Sequence, residues 1–210
     1  MKTNILILIL FALSFKAIGQ SQADTYIKEA QAYLAKKEYK QAQLSLQDAI
    51  NDLNNILSQQ IAESLPLEIN GLKASGDSDV NPGAMGMMGG GMMISKRYAN
   101  PAKKENDADI QIISNSPMMS AMTMYLSNPS MMGQGYKSIR IGSRRAIMKT
   151  ETQDFYDDNG NSKPIRSSEI QIPLTQTLIT LNLRGFANEA DEIAFATKLD
   201  IEKLRVALGE

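Results

Sequence analysis

The hydrophobic period of this chain changes near Pro66, and that change constrains the fold more than any other feature. Residues 24–65 are rich in Ala, Gln and Leu and contain neither Gly nor Pro, a composition that favours helix. Apolar residues recur there at helical spacing on both sides of a turn near Lys37 and Glu38. From residue 67 onward, apolar and polar residues alternate, as they do in half-buried strands.

We therefore predict an α+β protein, with a helical hairpin over residues 20–66 and an α+β domain over residues 67–210. Short connections predict a mainly antiparallel sheet of about six to seven strands covered by helices. A helix is expected from Ser116 and Pro117, and two helices capped by Asn188 and Asp200 are expected to close the chain. The predicted strands cover residues 68–73, 92–98, 109–114, 137–141, 144–152, 168–173 and 176–184.

The hairpin resembles a single tetratricopeptide repeat, in which small and aromatic residues at fixed offsets let two helices approach closely. The chain departs from that family in having no second copy of the unit and Asn54 near the usual closing Pro. An amphipathic hairpin that packs on its own domain is the alternative. The residues that carry the resemblance are Ala30, Tyr33, Ala42, Leu46 and Ala49, with Glu38 and Tyr39 at the turn.

The order of strands with a closing helix resembles the PsbP/Mog1-like α/β sandwiches. That resemblance comes from element order alone, without a residue motif. It implies a small noncatalytic domain that acts as an accessory or assembly factor.

The first nineteen residues have the pattern of a secretory signal peptide. Lys2 supplies a positive charge, residues 5–15 are apolar except for Ser14, and Ala17 and Gly19 are small residues at the positions a signal peptidase requires. We predict cleavage between Gly19 and Gln20, because a run of eleven residues is too short to span a bilayer as a helix. An uncleaved N-terminal anchor is the alternative. The expected location is periplasmic or secreted, with no transmembrane span after cleavage.

Composition excludes several classes of function. The chain has no Cys and no His, which removes thiol nucleophiles, Ser-His-Asp triads and imidazole ligands. The formal net charge of -1 argues against a nucleic-acid-binding protein that uses a basic face. Phosphate-binding and dinucleotide-binding glycine motifs are also missing. We expect a noncatalytic protein without a cofactor, and catalysis by carboxylates alone is the alternative.

A Gly/Met-rich loop at residues 83–93 is the segment most able to carry chemistry. Eleven of the 13 Met lie between Met85 and Met132. Thioethers select Cu(I) and similar soft ions, so a Cu(I) or Ag(I) site is one hypothesis, and an adaptable binding loop or a flexible linker are the alternatives. Met118, Met119, Met122 and Met124 are instead expected to fill a core. The candidate metal ligands are Met85, Met87, Met88, Met92 and Met93.

Two further clusters have simpler interpretations. Residues 154–162 are rich in side-chain oxygens but lack the spacing of a calcium loop, and Asn159 followed by Gly160 predicts a hairpin turn. Arg140, Arg144 and Arg145 flank Gly142 and are expected to be solvated or paired with carboxylates, with an anion site as the alternative. Together these features predict an exported interaction protein whose partner is another envelope protein.

Overall fold

A computed structural model describes residues 21–81, 91–114 and 119–210. The described chain divides into two compact units, one ending at Asp52 and the other spanning Leu53–Glu210. None of the helices in these ranges combines the length with the apolar character that crossing a bilayer requires.

The helical hairpin forms as predicted. Helix α1 (Gln22–Ala35) is followed by a turn in which Lys37 has φ 62°, and α2 (Tyr39–Ser64) begins two residues later. The first unit contains α1 and the first half of α2. The buried side chains on α1 are Ala23 and Ala30, and those on α2 within this unit are Ala42, Ser45 and Ala49. Small side chains at these positions let two helices approach closely. Asp52 fixes the start of α1 by accepting the N–H of Ala23 at 2.8 Å.

The second unit contains one antiparallel sheet of eight strands, in the order β1-β2-β3-β4-β8-β7-β6-β5. The sheet consists of two four-stranded meanders, β1 to β4 and β5 to β8, which meet where β4 pairs with β8. The strands are β1 (Glu68–Ile69), β2 (Leu72–Asn81), β3 (Met93–Asn100), β4 (Lys103–Ser114), β5 (Tyr136–Ile141), β6 (Arg144–Tyr156), β7 (Ser162–Pro173) and β8 (Thr177–Arg184).

The α+β class is confirmed, but the predicted count of six to seven strands is wrong. The segment 68–73, expected to form one strand, turns back on itself at Asn70 and Gly71, which have φ 50° and 83°. Successive residues with positive φ are typical of a two-residue hairpin turn, for which Asn-Gly is a favoured sequence. Ile69 therefore pairs with Leu72, and the segment contributes to two strands.

One face of the sheet carries the main core. Leu57, Ile61 and Leu65 from α2 and its C-terminal end pack there, together with α4 (Glu189–Thr197) and α5 (Ile201–Ala207). Phe195 is fully buried and lies edge-on to Tyr98 and Phe186, with ring centroids 5.9 and 5.6 Å away. The predicted caps are confirmed, because Asn188 and Asp200 accept the N–H groups of Asp191 and Lys203.

Two charged side chains on the core face are paired with polar groups. Glu192 of α4 is fully buried, and its carboxylate accepts hydrogen bonds from Nε and Nη2 of Arg166 on β7 at 3.0 and 2.9 Å. Lys96 of β3 is 6% exposed, and its Nζ donates to the main-chain oxygens of Ala62 and Leu65. Burial lowers the pKa of Lys96. Its two acceptors lie at the C-terminal end of α2, where the helix dipole is negative and favours a positive charge.

The opposite face is covered at one corner by a smaller cluster. Met122 of α3 (Met119–Ser127) packs with Ile147 of β6 and Leu178 of β8, and all three are nearly inaccessible to solvent. A short 3-10 turn (Pro129–Met132) follows α3. Met119 also packs against this cluster, as predicted, but Met124 is 49% exposed. Ser116, Pro117 and Met118 lie outside the described residues.

Candidate functional site

The candidate metal ligands are separated by the structure. Met85, Met87 and Met88 lie outside the described residues. Met92 is buried beside β4, where its N–H donates to Ser114 Oγ at 2.9 Å, whereas Met93 is half-buried and opposes Ile113 on the face that α3 partly covers. Because consecutive residues at a strand point to opposite faces, Met92 and Met93 do not converge on a common point. Gly19 and Gln20, the predicted cleavage residues, also lie outside the described part.

The clearest apolar surface is on the helical hairpin. Ile27 and Leu34 of α1 are 38% and 48% exposed, and Leu46 and Ile50 of α2 are 44% and 47% exposed. We call these four residues the hairpin stripe. The residues buried between the helices are mostly alanines, so most of the large aliphatic surface of this unit lies outside its own interface. Such surfaces often mark sites of protein contact.

The four residues lie on the same side of the hairpin. Ile27, Leu34 and Leu46 each follow a buried alanine by four residues, namely Ala23, Ala30 and Ala42, and Ile50 follows Leu46 by four. A step of four residues rotates a side chain about 40° around a helix of 3.6 residues per turn. In two antiparallel helices that face each other, this rotation is towards the same side of the pair. The stripe is therefore a shallow apolar groove along both helices.

The three arginines do not form one cluster. Arg144 pairs with Glu202 of α5, Nε to Oε1 at 2.7 Å, on the side of the sheet that carries α4 and α5. Arg140 and Arg145 oppose each other across β5 and β6 on the other face, and Arg140 donates to Ser143 O. The hairpin turn expected near Asn159 is also confirmed, since β6 and β7 are joined there and Asp157 accepts the N–H of Gly160 through its main-chain oxygen.

A polar array occupies the middle of the face opposite the main core. The array consists of side chains from five neighbouring strands in one register row: Arg97, Asp109, Asn182, Glu169 and Lys149. Asp109 and Glu169 flank the central strand β8, so their strands are roughly 10 Å apart. Asp109 accepts bonds from Ser95 and Gln111, and Glu169 accepts one from Gln171. This arrangement is a ladder of polar side chains in which the two carboxylates lie on either side of β8.

The turn between β7 and β8 holds a carboxylate with three donors. The N–H groups of Thr175 and Gln176 donate to Glu210 Oε2 at 2.6 and 3.0 Å, and the hydroxyl of Thr177 donates to Oε1 at 2.5 Å. We call Thr175, Gln176 and Thr177 the carboxylate receptor. A cleft of about 360 Å³ adjoins it. Successive N–H groups of this kind form concavities that bind anions.

Comparison with known proteins gives no match to a family model, to a curated protein or to a solved structure. The tetratricopeptide-like and PsbP/Mog1-like resemblances therefore remain predictions.

The sequence missed the carboxylate receptor and the polar array for different reasons. The receptor uses main-chain N–H groups and a carboxylate 33 to 35 residues away, so no local motif marks it. The array depends on the register of five strands, which a single sequence leaves undetermined. The hairpin stripe was also missed, because the repeat-like pattern assigned Leu46 to the contact between the helices.

Proposed function

We propose that this protein is an exported, noncatalytic interaction protein of the bacterial envelope. It acts by binding another envelope protein through the hairpin stripe. The exposed stripe on the described hairpin is the observation that carries this proposal. The signal-peptide pattern of residues 1–19 supports the location.

The geometry of the stripe favours an amphipathic helix as the bound element. Two parallel rows of aliphatic side chains with polar residues outside them form the kind of groove into which the apolar face of a helix fits. Ile50 and Leu46 stand beside Gln43 and Gln47, which are exposed, so the groove has a polar rim. A partner helix with apolar residues at intervals of three and four would bury the stripe and leave its own polar face in water.

The test of the stripe is partner capture from envelope extracts with matched variants. Ile50→Lys places a charge in the groove, whereas Gln47→Lys places the same charge on the exposed rim of the same helix. We expect the wild type and Gln47→Lys to recover the same partner saturably. Ile50→Lys should bind it about ten-fold more weakly or worse, as expected for a buried interface position. Equal recovery by both variants would exclude the stripe as the interface.

Export is tested separately. N-terminal sequencing of the protein from the periplasm or medium should begin at Gln20. An intact Met1 on exported protein, or protein retained in the cytosol, would contradict this part of the proposal without affecting the stripe.

Soft-metal binding by the Gly/Met-rich loop is a second proposal, supported by three methionines within residues 85–88. Thioether sulfurs are ligands that Cu(I) and Ag(I) prefer. Native mass spectrometry with Cu(I) should show a bound ion that is lost when Met85, Met87 and Met88 are replaced by Leu. Binding that is unchanged in this variant would assign the metal elsewhere. Replacing Met119 and Met131 by Leu is the matched control.

A further inference from the structure

The carboxylate receptor is built to hold a negative charge. Its donors come from three consecutive residues, and Thr177 is inaccessible to solvent. Bonds from N–H and hydroxyl groups to a carboxylate are charge-assisted and are stronger than bonds between neutral groups. In the structure, the side chain of Glu210 fills the receptor. The receptor therefore accepts a carboxylate.

Glu210 can leave the receptor without disturbing the fold around it. It follows Gly209, which has φ 76° just beyond the end of α5. Its main chain is held separately, because its N–H donates to Arg205 O at 3.0 Å and its carbonyl oxygen accepts from the Arg205 guanidinium. Rotation of the Glu210 side chain alone would therefore leave all three donors without their carboxylate acceptor.

The cleft beside the receptor has room for more than a carboxylate. Its volume of about 360 Å³ lies at the lower end of the range for small-molecule sites. Apolar side chains line part of it, from Leu57, Met92 and Leu208, while Asn54 and Ser114 contribute polar groups. A carboxylate in the receptor would therefore extend its neighbouring atoms towards a wall that is apolar at Leu57, Met92 and Leu208 and polar elsewhere.

We propose that the carboxylate receptor and its cleft form a binding site for a ligand with a carboxylate next to a small apolar group. Glu210 is an internal competitor that occupies the receptor when no ligand is present. A small free carboxylic acid and the C-terminal residue of a peptide share this chemistry. The proposal concerns the second unit alone and does not depend on the hairpin stripe.

The experiment follows the main-chain amide signals of Thr175 and Gln176 by NMR while sodium propionate is added. Glu210→Ala removes the competitor, and Glu63→Ala removes an exposed carboxylate elsewhere as the control. We expect saturable shifts of both amides in Glu210→Ala. In the wild type and in Glu63→Ala, half-saturation should need about ten-fold more propionate, because only the fraction of molecules with an empty receptor can bind. Adding Thr177→Val to Glu210→Ala should abolish saturation.

Two peptide arms distinguish the sources of the carboxylate. N-acetyl-glycyl-alanine presents a free C-terminal carboxylate, and its C-terminal amide presents none. Tighter binding of the peptide acid than of propionate identifies a peptide C-terminus as the ligand class. Tighter binding of propionate identifies a small acid. Binding of the peptide amide as tightly as the peptide acid would overturn the proposal, because the receptor would then not distinguish a charged carboxylate from a neutral amide.

The proposal also fails if Thr175 and Gln176 show no saturable shift in Glu210→Ala, or if the wild type saturates at the same concentration. Dispersion of the amide spectrum reports whether that variant is folded. If it is not, Glu210→Gln takes its place, because it keeps the length of the side chain and weakens the bonds by removing the charge. Its half-saturation should still fall below that of the wild type.

Discussion

At the scale of single residues, the backbone around Gly185 leaves no space for a side chain. It follows β8 with φ 67°, and a Cβ placed there would lie 2.3 Å from the main-chain oxygen of Glu105. The obstructing atom belongs to the backbone of β4, so it cannot move away as a side chain would. Gly142 also has positive φ, 59°, but nothing lies within 4 Å of a Cβ placed there.

Gly185→Ala should therefore destabilise the protein more than Gly142→Ala does. Gly142→Ala adds only the conformational strain of a left-handed residue, about 1–2 kcal/mol. Gly185→Ala adds the clash with Glu105 as well, and we expect it to cost at least ~2 kcal/mol more. Urea unfolding of both variants measures the difference. Equal losses of unfolding free energy in the two variants would mean that the backbone of β4 shifts to admit the methyl group without losing stability.

A second residue, Glu202, links stability to pH. Hydrogen bonds from Arg144 and Arg205 lower the pKa of its carboxyl from 4.5 to about 2. Because the folded pKa is depressed, the contribution to stability is present above pH 4.5 and is lost as the pH falls towards 2.

Glu202→Gln should therefore weaken the dependence of stability on pH in the acid range. We expect a smaller loss of stability between pH 4.5 and pH 2 than in the wild type, measured as the thermal unfolding midpoint at each pH. Glu63→Gln removes an exposed carboxylate of α2 as a control and should leave this dependence unchanged. An identical slope in Glu202→Gln and the wild type would contradict the assignment.

At the scale of elements, the end of α2 is fixed to the sheet by side chains of β3. Lys96 Nζ donates to Ala62 O and Leu65 O at 3.1 and 3.3 Å, and the hydroxyl of Tyr98 donates to Pro66 O at 2.8 Å. Burial raises the pKa of Tyr98 to about 12, so the phenol remains a donor at neutral pH. These bonds satisfy carbonyl groups that a helix terminus leaves unpaired.

Lys96→Met should loosen this attachment. The aliphatic part of the side chain is kept, but two acceptors at the end of α2 lose their donor, and we expect a loss of about 1–3 kcal/mol. Lys73→Met, at an exposed position of β2, is the matched control and should change stability little. Urea unfolding compares the two. A neutral effect of Lys96→Met would show that water replaces the lysine at these carbonyls.

Much of the element pattern was predictable from the sequence because half-buried strands and capped helices leave local signals. Ile110 and Ile112 alternate with polar residues, and Asn188 caps α4 where expected. The outer end of β6 was missed, since residues 153–156 carry no hydrophobic alternation and are held by pairing with β7. Asn70 and Gly71 did carry a turn signal, and overlooking it merged two strands.

At the scale of the whole molecule, the two units differ in the size of the side chains that they bury. The interior of the hairpin consists of Ala and Ser, whereas the sheet buries Ile, Leu, Met and Phe. Burying an alanine removes less apolar area from water than burying a larger side chain, so it contributes less stability.

Hydrogen exchange should therefore be faster in residues 22–52 than in β4 and β8. We expect protection of the hairpin amides to be lower by at least about ten-fold, because local opening requires less free energy where few large apolar side chains are buried. Mass spectrometry of exchanged peptides measures this for each segment. Equal protection would mean that the hairpin opens only with the sheet.

The candidate site was predictable only in part, for a reason that also lies at this scale. The hairpin stripe lies within one short segment, but the sequence pattern placed Leu46 in the contact between the helices, whereas it is 44% exposed. The carboxylate receptor joins Thr175 to Glu210, and the polar array joins Arg97 to Lys149. Such groups are brought together by the path of the chain through the sheet, which one sequence does not encode in any short segment.

The meeting of β4 with β8 has a consequence for how the sheet is assembled. Among the described strands, every other pairing joins neighbours in sequence, whereas Asp107 and Arg184 across this pairing are 77 residues apart. Closing a loop costs entropy that rises with the logarithm of its length. Local contacts can begin to build each meander on its own. The entropic cost of closing a long loop therefore arises in one step of folding, when β4 pairs with β8.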